Sequence, residues 1–367
     1  MTTTEPATTA QPEAPLRLRQ LHPGWFAAVM GTAILAVATY DNPGNVSSLE
    51  GTAHATGVVI AVVAYAVAAV LTVAYVARWV RHTDAAVADL RHPVMGALYG
   101  TVPGGLLVLA VMTSVIGPSV LPDSAVTTIV AVLAVVGGVL AVAVSVTFAY
   151  MLFTGEAPVA TVNGGWFIPP VVTIIIPMAL LPLIPHVGSS GRLLLMLGYA
   201  FYGMGFLLFL LVMSMLHDRL ILHPLPGAPM APSLWIGLGP VGVGVLALLA
   251  LAHAGATVFG SAAPAVIVVS ELAATGLWGF GLWWLAAAIA LLVRYLRAGT
   301  LPYSLGWWAF TFPLGAFTVA TLTLARIWDT SAIEWFGVLL YAGLVTFWVL
   351  VSAGTIRALR SGHVWQR

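Results

Sequence analysis

Ten apolar runs divide this chain, and most are long enough for an α-helix to cross a bilayer. They fall at roughly Trp25–Tyr40, Thr56–Val80, Met95–Ile116, Ala125–Phe153, Trp166–Ile184, Leu193–Leu216, Leu234–Ala252, Leu272–Leu296, Ser304–Ala325 and Ile333–Ile356. The first is short unless it begins near Leu21. Val266–Val269, ahead of Glu271, is expected as a partial turn outside the eighth run. Only 7% of residues are charged and 60% are hydrophobic, with a mean hydropathy of +1.03. A soluble domain could not cover its surface with so few charges. The expectation is an all-α integral membrane protein with one transmembrane domain over residues 21–360. A disordered tail over 1–20 precedes it and a short tail over 361–367 follows. The Thr/Ala/Pro-rich stretch Met1–Pro15 lacks the basic start and apolar middle of a signal peptide.

Arginines orient the runs, since every basic residue is Arg. Arg17 and Arg19 precede the first run. Arg78, Arg81, Arg91, Arg219, Arg294, Arg297, Arg357, Arg360 and Arg367 follow even-numbered runs. The other side has only Arg192 and Arg326. Both termini are therefore expected in the cytoplasm of a multi-pass plasma-membrane protein.

Gly/Pro breaks recur in the odd-numbered runs, at Gly31-Thr32, Pro103-Gly104-Gly105, Pro169-Pro170, Gly239-Pro240 and Phe312-Pro313. Even-numbered runs are smooth and rich in Val, Leu and Ala. This alternation reads as five copies of one hairpin. Kinked helices at Gly31, Pro103, Pro170, Pro240 and Pro313 belong inside, because freed backbone groups are costly against lipid. Five inner helices can ring a narrow channel. Phe312 stands directly before the break at Pro313 and reads as a plug of that channel. The competing reading is an ordinary packing aromatic, with Phe310 and Phe317 close by.

The apolar runs hold no charge near their middles, which argues against a proton relay of Asp or Glu. Anions can still be held by helix N-termini, backbone N–H groups and hydroxyls. Thr32, Thr101, Thr173 and Thr311 stand near the breaks as possible pore polar groups. The plainer alternative for each is a hydroxyl bonded to its own helix. Arg81, Arg91, His92, Arg219 and Arg294 could concentrate anions at the mouth, but topology determination and lipid headgroup contact are the plainer and favoured reading. There is no Cys, so disulfides and thiolate metal sites are excluded. Scattered histidines form no metal-ligand spacing, and no nucleophile elbow or carboxylate cluster points to an enzyme. The net charge of +1 carries no nucleic-acid signal. No cofactor is expected.

Four segments carry a family likeness: His22-Pro23-Gly24-Trp25-Phe26-Ala27-Ala28-Val29-Met30-Gly31-Thr32, Trp166-Phe167-Ile168-Pro169-Pro170, Leu234-Trp235-Ile236-Gly237-Leu238-Gly239-Pro240 and Trp307-Trp308-Ala309-Phe310-Thr311-Phe312-Pro313-Leu314. In order and spacing the chain resembles the tellurite-resistance/dicarboxylate transporter family. That family includes plant slow-type anion channels, fungal malate permeases and fungal sulfite exporters. The resemblance implies ten helices as five hairpins in quasi-fivefold arrangement, with the odd helices lining a central pore. It also implies homotrimers with one pore per subunit, and a pore phenylalanine matching Phe312. Expected partners are small inorganic or organic anions and the lipid bilayer. The expected cargo is a C4-dicarboxylate such as malate, or a chloride- or nitrate-like anion. The alternative is a proton-linked dicarboxylate carrier or a sulfite exporter.

Overall fold

A computed structural model describes residues 14–299 and 301–362; of the tails expected over 1–20 and 361–367, residues 1–13 and 363–367 lie outside the described residues. A short helix covers Ala14–Arg19. Ten spanning helices follow: α1 (Ala27–Tyr40), α2 (Glu50–Arg81), α3 (Thr101–Ile116), α4 (Asp123–Thr154), α5 (Ile168–Leu180), α6 (Gly191–Leu222), α7 (Leu238–Ala254), α8 (Ala263–Arg297), α9 (Thr311–Ile327) and α10 (Ser331–Ser361). The eighth takes in Val266–Val269, which apolar patterning alone leaves unassigned. Pro264 sits in that helix's first turn, where its missing N–H leaves no bond unmade, so the helix begins earlier than apolar patterning indicates.

Odd and even helices differ in length and surroundings. The even helices run 31 to 35 residues without interruption. Their most apolar stretches are only 22% to 28% buried, against 72% to 89% for the odd spans. Each odd helix packs along the even helix that follows it. The odd helices also pack on one another in the order α1, α3, α5, α7, α9, and α9 packs back on α1. The contacts thus close into a ring, with the smooth helices outside it.

The breaks take a different form from the mid-helix kinks expected at the prolines. Pro103, Pro170, Pro240 and Pro313 are each the third residue of their α-helix. The first-turn N–H groups have no partner within the helix, so proline costs nothing there. The α-helices of spans one, five, seven and nine are preceded by 3₁₀ lead-ins, Pro23–Phe26, Gly164–Phe167, Ala228–Gly237 and Leu305–Phe310. Span three has a single helical turn, Met95–Leu98, instead. Gly31 makes no break at all; α1 runs through it from Ala27 to Tyr40. Its role is close approach: a Cβ there would lie 2.1 Å from Thr311 Oγ1, so α1 and α9 could not cross at this distance with any larger residue.

Lipid is as apolar as a leucine side chain, so the helices associate through packing and interhelical hydrogen bonds. A recurring device is a threonine hydroxyl that donates to its own helix and accepts an indole N–H from a neighbour. Thr32 Oγ1 donates to Ala28 O and accepts from Trp348 Nε1 at 3.0 Å. Thr321 does the same with Phe317 O and Trp278 Nε1, and Thr355 with Val351 O and Trp308 Nε1. Each cross-helix bond is worth on the order of 0.6–1.7 kcal/mol in a membrane. Ion pairs sit at the ends. Arg78, wholly buried in the last turn of α2, bonds Asp89 at 2.5 Å and Tyr99 Oη at 3.0 Å. At the opposite end Arg326 of α9 reaches Asp41 at 2.7 Å and Glu334 at 3.5 Å, joining the first hairpin to the fifth.

Candidate functional site

The N-terminal ends of all five odd spans meet at one end of the ring around a cavity of about 310 Å³. Met30, Thr101, Val171, Gly239 and Phe312 contribute one lining residue from each odd helix. Polar residues before the helices hold the lead-ins open to it. His22 Nδ1 accepts from Gly24 N–H at 3.0 Å, and Asn163 Oδ1 from Gly165 N–H at 2.7 Å. Ser233 Oγ accepts from Gly164 N–H at 3.2 Å. Ser304 occupies the cap of the last lead-in without making a capping bond. These side chains, with Thr101 and Tyr303, are the polar lining; the rest is apolar, and no Arg, Asp or Glu lines the cavity among the described residues. Burial pushes the Tyr303 phenol above its ordinary pKa, and its bond to Thr355 only partly offsets this, so it stays neutral. Convergent helix N-termini give such a space a positive potential without a fixed charge.

Phe312 lines the cavity beside α5 and α7. A Cβ on Gly239 would be 3.8 Å from Phe312 Cε1 and 3.7 Å from both Pro313 Cβ and Val171 Cγ2. The ring of α9 therefore reaches across to the backbone of α7 beside α5. Of the three phenylalanines, only Phe312 lines the cavity. Phe310 stacks on Phe347 at 4.8 Å and edge-on to Trp235. Phe317 is fully buried against Gly281.

The threonines divide the same way. Thr101 lines the cavity while its hydroxyl bonds Pro23 O and Leu98 O. Thr32, Thr173 and Thr311 take the plainer alternative: Thr173 Oγ1 donates to Pro170 O, Thr311 Oγ1 to Trp308 O, and none of the three lines the cavity. Small hydroxyls here let helices approach, Thr173 beneath Gly205 and Thr311 beneath Gly31. Of the four helix-starting prolines only Pro313 lines the cavity; Pro103, Pro170 and Pro240 are buried outside its lining, as is Gly31. The mouth cations do not line it either. Arg219 is buried and donates to Pro224 O at 2.7 Å, while Arg81, Arg91, His92 and Arg294 are exposed.

His22, Asn163, Ser233, Tyr303 and Ser304 were not legible as lining residues from the sequence. A signal existed in part. His-Pro occurs three times, at His22-Pro23, His92-Pro93 and His223-Pro224, and His92 Nδ1 likewise accepts from Val94 N–H at 3.1 Å. No cluster of His, Asp or Glu suited to a metal occurs among the described residues.

Residues 20–356 match the voltage-dependent anion channel family, nearly the whole chain. The chain belongs to that family. An uncharacterized transporter of Methanocaldococcus jannaschii is 34% identical over 351 residues, covering 95% of this chain and 96% of its own length. A sulfite efflux pump of Trichophyton rubrum is 26% identical, covering 93% and 91%. A malic acid transport protein of Schizosaccharomyces pombe is 27% identical over 172 residues, 44% of this chain and 38% of its own. Membership of the voltage-dependent anion channel family makes this a multi-pass membrane protein of an anion-transporting lineage. It accords with ten apolar helices around a cavity that no charged side chain lines among the described residues.

Proposed function

We propose that this protein passes small anions along the axis of its odd-helix ring, with Phe312 as the plug. The observation that carries the reading is that the Phe312 ring lines a cavity faced by five helix N-termini and points at the Gly239 backbone, leaving room for no more than a methyl group between them. Helix N-termini and hydroxyls attract anions without binding them tightly, and a conducted ion must also leave. The ring closure of α9 on α1 supports a quasi-fivefold channel. The Arg asymmetry supports cytoplasmic termini in a plasma membrane, with the cavity opening to the cytoplasm. The family supports a homotrimer. The cargo is a small anion such as malate, chloride or nitrate.

A second reading, sulfite export, is favoured by one observation: the sulfite efflux pump of Trichophyton rubrum aligns with 93% of this chain, whereas the malic acid transport protein aligns with less than half. An anion panel on purified protein in liposomes tests both. Chloride, nitrate, malate and sulfite are compared in wild type and Phe312→Ala. The proposal expects protein-dependent anion flux that rises in the variant. Cation-selective flux would refute it.

A further inference from the structure

We propose a separate phosphate-binding site outside the axial cavity, where α6 ends, in which Arg219 holds the phosphate group and Arg294 of α8 assists. Two even helices show why. α2 and α6 are both 32 residues long, and each carries a buried arginine three residues before its last, Arg78 and Arg219. Arg78 meets a carboxylate: Asp89, from the connection after α2, lies 2.5 Å from its Nη2. The connection after α6, His223-Pro224-Leu225-Pro226-Gly227, has no acid to offer. Arg219 donates instead to two carbonyls, Pro224 O at 2.7 Å and Ala160 O at 3.5 Å. Its Nε–H is buried with no acceptor. Asp218, its neighbour in the chain, and Glu156, ahead of Ala160, are both exposed. No ion pair among the described residues includes Arg219.

Carbonyls solvate a guanidinium without cancelling its charge, and a buried cation that lacks an anion is costly. A second cation adds to that cost. Arg294 is exposed near the end of α8, and both it and Arg219 act electrostatically on the phenol of Tyr295. Tyr295 Oη donates to Pro226 O at 2.5 Å, so it brings no negative charge to them. An oxyanion supplies what the pair lacks. Nε and Nη2 form one edge of the guanidinium fork, and in Arg219 that edge makes only the 3.5 Å bond. Two oxygens of a phosphate group match such an edge. The same chemistry is carried by inorganic phosphate and by the headgroup of an anionic lipid.

The test is thermal unfolding of the purified full chain in a maltoside detergent, which carries no phosphate. One arm adds potassium phosphate, with potassium chloride at equal ionic strength as its control. The other adds short-chain phosphatidylglycerol, with the matching uncharged diacylglycerol as its control. The wild-type unfolding temperature should climb with the logarithm of ligand concentration once the site is half filled. A climb with inorganic phosphate shows that the free anion suffices; a climb with phosphatidylglycerol alone assigns the group to a lipid headgroup. Arg219→Met should show no climb. Without ligand it should unfold at the wild-type temperature or above it, because the methionine removes an uncompensated buried charge. Arg294→Gln changes an exposed side chain and should need about two- to fivefold more ligand for the same shift. A wild type that neither ligand stabilises beyond its control would overturn the proposal. So would an equal climb in Arg219→Met, or an unmoved midpoint in Arg294→Gln. Flux through the cavity enters none of these readings, so their outcome is separate from that of the anion route.

Discussion

Phe312 and Gly239 meet across the ring: the phenyl edge lies 3.8 Å from the point where a Cβ on Gly239 would stand. At that distance an alanine makes ordinary contact, whereas a longer side chain fills the gap the ring occupies. Gly239→Ala should therefore fold and conduct much as wild type. Gly239→Leu placed in Phe312→Ala should return the raised flux toward the wild-type level by blocking from the opposite wall. Anion flux of the three variants in liposomes checks this.

Gly31 is constrained more severely, because its missing Cβ leaves room for the Thr311 side chain at the crossing of α1 and α9. Gly31→Ala overpacks this contact and should cost about 1–3 kcal/mol. Thr311→Ala in the same protein should recover part of the loss. Thermal unfolding in detergent reads both changes.

Much of this architecture could be read from the chain. Ten spans, the inner place of the broken runs and Phe312 as the cavity phenylalanine all follow from apolar length, Gly/Pro punctuation and motif order. The nature of the breaks did not follow. A proline in mid-run looks the same in sequence whether it kinks a helix or starts one after a 3₁₀ lead-in. The four threonines show a similar limit. Oγ1 of Thr32 and of Thr101 is each bonded to a carbonyl, yet only Thr101 faces the cavity, because orientation depends on which neighbour each helix meets. Polar lining from His22, Asn163 and Ser304 lies ahead of the helices, where hydropathy carries no periodic signal.

The proline-rich segment before α7 rims the cavity through Pro229 and Met230 and is held from behind by buried side chains. Tyr295 Oη donates to Pro226 O at 2.5 Å and Arg219 to Pro224 O at 2.7 Å. Tyr295→Phe should cost about 0.5–1.5 kcal/mol and loosen the rim without touching the cavity. The protein has no native cysteine, so Met230→Cys is a unique reporter. Its labelling by a thiol reagent should be faster in the Tyr295→Phe background.

Asp41 links pH to the clasp between the first and fifth hairpins. Burial raises its carboxyl above the ordinary value, and Arg326 pulls only part of the way back. An acid whose pKa is raised on folding adds stability at low pH, and that contribution is lost as pH rises through the folded pKa. Arg326→Gln removes the lowering influence and pushes Asp41 higher still. Between about pH 4 and about pH 7 the variant's unfolding temperature should therefore fall further than that of wild type.

The central claim is that one aromatic ring closes an otherwise open anion path, and recordings of purified wild type and Phe312→Ala in planar bilayers under a nitrate or chloride gradient test it most directly. Phe312→Ala should carry a larger, anion-selective current. Equal currents from a variant that assembles like wild type would contradict it.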